Sequence, residues 1–210
     1  NAPNPLKDYA VSKPKLFTIK AADGKTDLSC RLYAPVNFNE DEVYPVLVYV
    51  YNGPGVQLIT NTWNAGGPLW MQYAAQKGYY VFTVDGRGSA FRGKEFEQAI
   101  FRDLGTVEVA DQLKGVDYLK SLPNVNAKRM VIHGWSYGGF MTCNMMLRAP
   151  GTFNAGVAGG PVIDWSLYEI MYTERYMDTP ETNKAGYDNS LVTKYIKDLK
   201  GKLMLIHGTN

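Results

Sequence analysis

The chain is poor in the residues that staple or metallate small domains. It has two cysteines and two histidines among 210 residues, and Cys30 and Cys143 stand far apart with no C-x-x-C spacing. A disulfide framework or a zinc site is therefore disfavoured, and two buried free thiols are the simpler reading. Charge of one sign is also lacking: 22 basic residues against 20 acidic ones leave a net +2, and neither sign forms a long run. No nucleic-acid or membrane surface is indicated. No apolar run approaches the roughly 20 residues of a membrane span. Asn1 to Pro14 is polar, so neither a signal peptide nor an anchor is visible, and a start at Asn1 without methionine suggests a processed or excised segment. Internal repeats and low-complexity tracts are absent as well.

What is present is an alternation of short apolar runs with amphipathic ones. The length suits one α/β domain with ample core. Residues 1–15 read as a linker. Leu16 to Lys20 and Leu28 to Tyr33 read as antiparallel strands around the turn at Asp23-Gly24. Tyr44 to Tyr51 and Tyr79 to Val84 read as buried central strands, and Phe153 to Ala158 and Lys202 to Ile206 as further strands. Helices are expected over Pro68 to Lys77, with Leu69, Tyr73 and Ala74 along one side, over Thr106 to Ser121, with Thr106 as its cap, and over Ser190 to Lys200. Strands alternating with helices imply a mainly parallel sheet covered on both faces.

The most informative stretch is Arg129 to Arg148, a strand of Met130, Val131 and Ile132, then a turn, then a helix from Tyr137. Gly134, Ser136 and Gly138 fit G-x-S-x-G, in which glycines let the backbone turn sharply enough to push the serine out above the sheet. The following helix points its free amides and positive dipole end at the same place, where an oxyanion would form during acyl transfer. Such a serine requires a base, usually histidine held by a carboxylate. His133 lies three residues before Ser136 inside the strand, and His207 lies at the end of the last strand. In this fold the acid and then the histidine follow the serine along the chain, so both are expected beyond Asn210, with His133 and His207 structural. An α/β-hydrolase fold whose C-terminal part is missing is the resulting expectation, with residues 16–210 as an incomplete catalytic domain.

Five motifs in order, VYNGPG at Val50, DGRGSAFRG at Asp85, LGTVEVADQ at Leu104, GWSYGG at Gly134 and YTERYM at Tyr172, resemble the prolyl oligopeptidase family. The closer likeness is to its dipeptidyl peptidase IV branch, and Gly159 to Tyr176 is similar to the bacterial prolyl tripeptidyl peptidases. The resemblance implies a serine exopeptidase that cleaves after proline near a free N-terminus and releases di- or tripeptides. Ser136 would be the nucleophile, with the Tyr137 amide and the Tyr51 hydroxyl as oxyanion donors. Tyr137, Val162, Trp165, Tyr168 and Tyr172 would form the proline pocket. On one helix, the spacing of Trp165, Tyr168 and Tyr172 would give a single aromatic wall. No metal or cofactor is implied. The partner is a peptide with proline near its N-terminus; an upstream β-propeller, a homodimer at full length, and a periplasmic or cell-surface location in a bacterium are also implied. Glu174 and Arg175, beside the wall, are expected to form an ion pair or loop brace. Two other readings stay open: a carboxylesterase or lipase, although Val50 to Gly55 lacks the expected HGGG-type loop, and a non-catalytic scaffold on a hydrolase fold.

Overall fold

The computed structural model of the chain describes Pro3 and residues 5–209. Seven strands form one sheet in the order β1-β2-β4-β3-β5-β6-β7. They are β1 (Lys15–Lys20), β2 (Asp27–Tyr33), β3 (Tyr44–Tyr49), β4 (Tyr80–Asp85), β5 (Val125–Trp135), β6 (Ala155–Gly159) and β7 (Lys202–Ile206). β1, β2 and β4 pair antiparallel, and β4, β3, β5, β6 and β7 run parallel. The helices are α1 (Leu69–Gln76), the short α2 (Lys94–Glu97), α3 (Thr106–Ser121), α4 (Tyr137–Arg148), α5 (Ile170–Met177) and α6 (Lys184–Ser190). No helix among the described residues is long and apolar enough to cross a membrane.

The centre of the sheet is covered on both faces, as the alternation of elements requires, while the edge strand β7 leaves Met204 and Leu205 exposed. On one side Met71 and Ala75 of α1 pack on Tyr33 and Val81, with Leu47 and Tyr49 at the margin. On the other, α3 and α4 bring Val116, Leu119, Phe140, Met141 and Met145 against Val46, Val48, Phe82, Met130 and Ile132. β4 lies between these two cores, and all six of its residues are buried. Cys30 and Cys143 are both free and buried.

Several elements depart from the sequence reading. Within the segment read as a linker, Ser12 exchanges two hydrogen bonds with the Gln72 side chain, at 2.8 and 2.9 Å, which docks it on α1. Asn1, Ala2 and Asn4 lie outside the described residues. α1 buries Met71, Gln72 and Ala75 and exposes Leu69 and Tyr73, the reverse of the expected face. The cap of α3 is Gly105, not Thr106. The span expected as a helix over Ser190 to Lys200 is a 3-10 turn over Val192–Asp198, and the α-helix there, α6, ends at Ser190. Leu191 is extended, which separates the two pieces.

Candidate active site

β5 ends at Trp135 and α4 begins at Tyr137, so Ser136 alone makes the turn. Its backbone sits at φ 58° and ψ −117°, a conformation that costs a side-chain-bearing residue about 1–3 kcal/mol and persists only where neighbours fix it. Here the Ser136 amide donates to the Gly159 carbonyl at 2.8 Å, and the Phe140 amide donates to the Ser136 carbonyl at 3.0 Å. The motif glycines are needed because backbone meets backbone. A Cβ on Gly134 would stand 2.3 Å from the Gly138 oxygen, and one on Gly138 would stand 2.2 Å from the Val50 oxygen. Ser136 itself remains half-buried at the N-terminal end of α4, where the helix dipole favours developing negative charge.

Neither histidine is hydrogen-bonded to Ser136. The Nδ1 of His133 pairs with the Val157 carbonyl at 2.9 Å on the neighbouring strand. Its ring packs beside Tyr49 and Trp70, among residues of the α1 side of the sheet. His207 is exposed beyond β7, with Nδ1 3.0 Å from the Gly208 carbonyl.

The tyrosines and the tryptophan singled out in the sequence form one continuous row of rings. Tyr51 lies 6.1 Å from Tyr137, Tyr137 lies 5.5 Å from Trp165, and Trp165 stacks on Tyr172 at 5.9 Å with an interplanar angle of 10°. Tyr168 closes the cluster edge-on to both Trp165 and Tyr172. Gly53 passes between the first two rings, where a Cβ would stand 2.6 Å from Tyr137 and 2.8 Å from Tyr51. The row is not built on one helix as the spacing suggested. Trp165 belongs to a 3-10 turn held by the Asp164 side chain, Tyr168 is extended, and only Tyr172 is on α5. Tyr137 and Trp165 are also almost fully buried, while Tyr168 is 40% exposed. The accessible surface therefore belongs to Tyr51, Val162, Tyr168 and Tyr172, with the other two rings behind. Glu174 and Arg175 form no ion pair with each other; the brace nearby is Arg102 on Asp178.

A stripe on α3 holds this arrangement, and the sequence reading passed over it. Glu108, Asp111, Gln112 and Gly115 are all buried, at the spacing of one helix face. Asp111 receives a forked pair of bonds from Arg87, at 2.9 and 2.8 Å, fixing the loop after β4. Gln112 donates at 2.7 Å to Asn52, whose amide group also accepts from Gly86 and donates to the Arg87 carbonyl. Asn52 stands at φ 56° and directs the chain away immediately after Tyr51. Glu108 accepts from the Gly105 amide at 2.9 Å and from the Tyr137 hydroxyl at 2.5 Å. The available signal was polar residues recurring every three or four positions on a helix that must cover a sheet.

Burial governs the protonation of these groups. It pushes the Glu108 carboxyl up to about 7 despite the bond from Tyr137. It likewise raises the Asp85 carboxyl to about 6, although the amides of Leu58 and Ile59 donate to it. The Tyr51 phenol is also raised, by burial first and then by Tyr168 and its other tyrosine neighbours. A phenol that keeps its proton remains a hydrogen-bond donor.

A strained serine between a parallel strand and a helix, in G-x-S-x-G, on a mainly parallel sheet covered at its centre on both faces, defines an α/β-hydrolase-type site. The profile of the prolyl oligopeptidase family matches residues 68–210, and the chain belongs to that family, within its dipeptidyl peptidase IV branch. A solved structure of a candidate dipeptidyl aminopeptidase IV from Bacteroides ovatus is 54% identical with a TM-score of 0.96, over 98% of this chain and 29% of that one. Porphyromonas gingivalis dipeptidyl peptidase 4 is 37% identical with a TM-score of 0.90, over 97% and 28%. Dipeptidyl peptidase 4 of Trichophyton equinum is 38% identical over 97% of this chain and 27% of its own length. The chain thus spans between a quarter and a third of these relatives.

Proposed function

We propose that this chain carries the nucleophile and the proline pocket of a serine exopeptidase that releases N-terminal di- or tripeptides by cleavage after proline. The observation that carries the reading is the strained, half-exposed Ser136 placed next to Tyr137, whose ring joins Tyr51 to the Trp165 cluster. The serine oxygen attacks the prolyl carbonyl, forming a tetrahedral adduct whose oxyanion is held by the Tyr137 amide and the Tyr51 hydroxyl. Collapse expels the amine of the downstream peptide and leaves a prolyl ester on Ser136, which water then hydrolyses. The substrate's proline ring rests on Tyr168, Tyr172 and Val162, backed by Trp165 and Tyr137.

The general base and its carboxylate are supplied by chain outside residues 1–210. The engagement of His133 with Val157 supports this, as does the partial span of the relatives. Resemblance alone supports the upstream propeller, the homodimer and the bacterial envelope location. The test is full-length protein with chromogenic X-Pro and X-X-Pro amides. Hydrolysis of one or both, abolished in Ser136→Ala, is expected, and the ratio decides between dipeptide and tripeptide release. Equal failure on both substrates overturns the proposal.

A further inference from the structure

Among the polar side chains nearest the serine turn, the carboxyl of Glu108 is fully enclosed and both its oxygens are engaged. Oε2 accepts from the Gly105 amide, which closes the first turn of α3. Oε1 accepts from the hydroxyl of Tyr137, 29 residues away, at the first position of α4. We infer that Glu108 is a positioning residue: it fixes the ring and the backbone amide of Tyr137, and through them both the back of the proline pocket and one oxyanion donor.

Three observations carry this. Tyr137 directly follows Ser136, the one residue between β5 and α4, and is the first residue of α4; with its phenol held at the far end by Glu108, rotation of the first turn of α4 is restrained. The same α3 turn also grips the other end of α4. Arg148 donates from Nη1 to the Gly105 carbonyl at 3.0 Å and from Nη2 to the Thr106 hydroxyl at 3.2 Å. α4 is therefore clamped at its first and last residues to the first turn of α3 and its Gly105 cap. Finally, that turn packs closely on α4 itself: Gly105 stands at φ 94°, and a Cβ there would meet the Phe140 ring at 3.0 Å. Phe140 in turn packs edge-on to Tyr137 and Trp165. An apolar residue at 108 would be cheaper to bury, but it could not hold a phenol at a set distance.

The inference rests on the proposed peptidase reading, and its test separates the two. In full-length protein, kcat and KM for an X-Pro amide are measured for wild type, Glu108→Gln, Tyr137→Phe and the double variant, together with their melting temperatures. Glutamine keeps an acceptor for the phenol but sets an NH2 against the Gly105 amide, whereas phenylalanine removes only the hydroxyl and keeps the ring. Each single change is expected to lower kcat/KM about tenfold, and the double variant no further than the worse single, as for two groups acting through one bond. Single losses that multiply in the double variant, or a Glu108→Gln protein whose melting temperature falls while kcat and KM stay unchanged, overturn the inference. Should Glu108→Gln fail to fold, Tyr137→Phe decides alone: a loss in kcat/KM supports the inference and unaltered kinetics overturn it. Should wild type hydrolyse neither X-Pro nor X-X-Pro amides, the peptidase reading fails, and the melting temperatures of the same four proteins still decide. Non-additive shifts support the Glu108–Tyr137 constraint, and additive ones overturn it.

Discussion

Gly138 approaches Val50 so closely that a Cβ on the glycine would stand 2.2 Å from the valine carbonyl oxygen. This contact joins the serine turn to the end of β3, and so ties Ser136 to the segment that carries Tyr51. Neither side of the contact is a flexible side chain, so a methyl group there must displace backbone. Gly138→Ala is expected to destabilise the domain by more than about 2 kcal/mol and to abolish turnover even in the fraction that folds. Denaturant unfolding with parallel kinetics checks this; a normally active, normally stable alanine variant contradicts it.

Removing the phenolic hydroxyl of Tyr51 tests the oxyanion role. The hydroxyl is asked to act only when charge develops, so Tyr51→Phe should lower kcat about 10²- to 10³-fold and leave KM nearly unchanged. A rise in KM with kcat intact would place Tyr51 in ground-state binding instead.

Tyr168 and Trp165 touch each other but differ in burial, and their alanine variants should differ accordingly. Tyr168 is 40% exposed, so its truncation is expected to raise KM for X-Pro amides about tenfold with little change in melting temperature. Trp165 is 1% exposed, and Trp165→Ala should cost about 3–5 kcal/mol of stability. Steady-state kinetics and thermal melts on both variants separate the two roles.

Glu108 and Asp85 make a pH prediction. Both hold their protons to higher pH in the folded chain, about 7 and about 6, than the ordinary values of 4.5 and 3.8. Between those limits the folded state binds more protons than the unfolded one. The stability these two groups contribute is therefore complete at low pH and is lost as pH rises through about 6 and then about 7, at up to about 1.4 kcal/mol per pH unit for each group. Glu108→Gln should flatten the decline of unfolding free energy between about pH 5 and pH 7. A variant curve parallel to the wild-type curve contradicts the assignment.

The order of strands and helices was readable because each element carries its own period. The serine turn was readable because glycine spacing reports a backbone clearance. What escaped depended on partners distant in sequence. Glu108 reads locally as an ordinary first-turn acid, and only the fold brings it to Tyr137. The break after Ser190 was hidden because the apolar spacing from Leu191 to Leu199 fits a helix. The break shows only in the backbone, where Leu191 is extended between the end of α6 and the 3-10 turn over Val192–Asp198. The rings of the aromatic row do adjoin, but not on the scaffold that their spacing suggested. Spacings of three and four suggested one helix, whereas the Asp164 side chain accepts from Ser166 and makes a tight turn that precedes α5.

The most direct measurement is covalent. Full-length protein is treated with a fluorophosphonate and digested, and the adduct is mapped by mass spectrometry. One phosphonyl group on Ser136, with activity lost in proportion to labelling, is the predicted result. Labelling of another residue, or undiminished turnover in Ser136→Ala, would contradict the account at its centre.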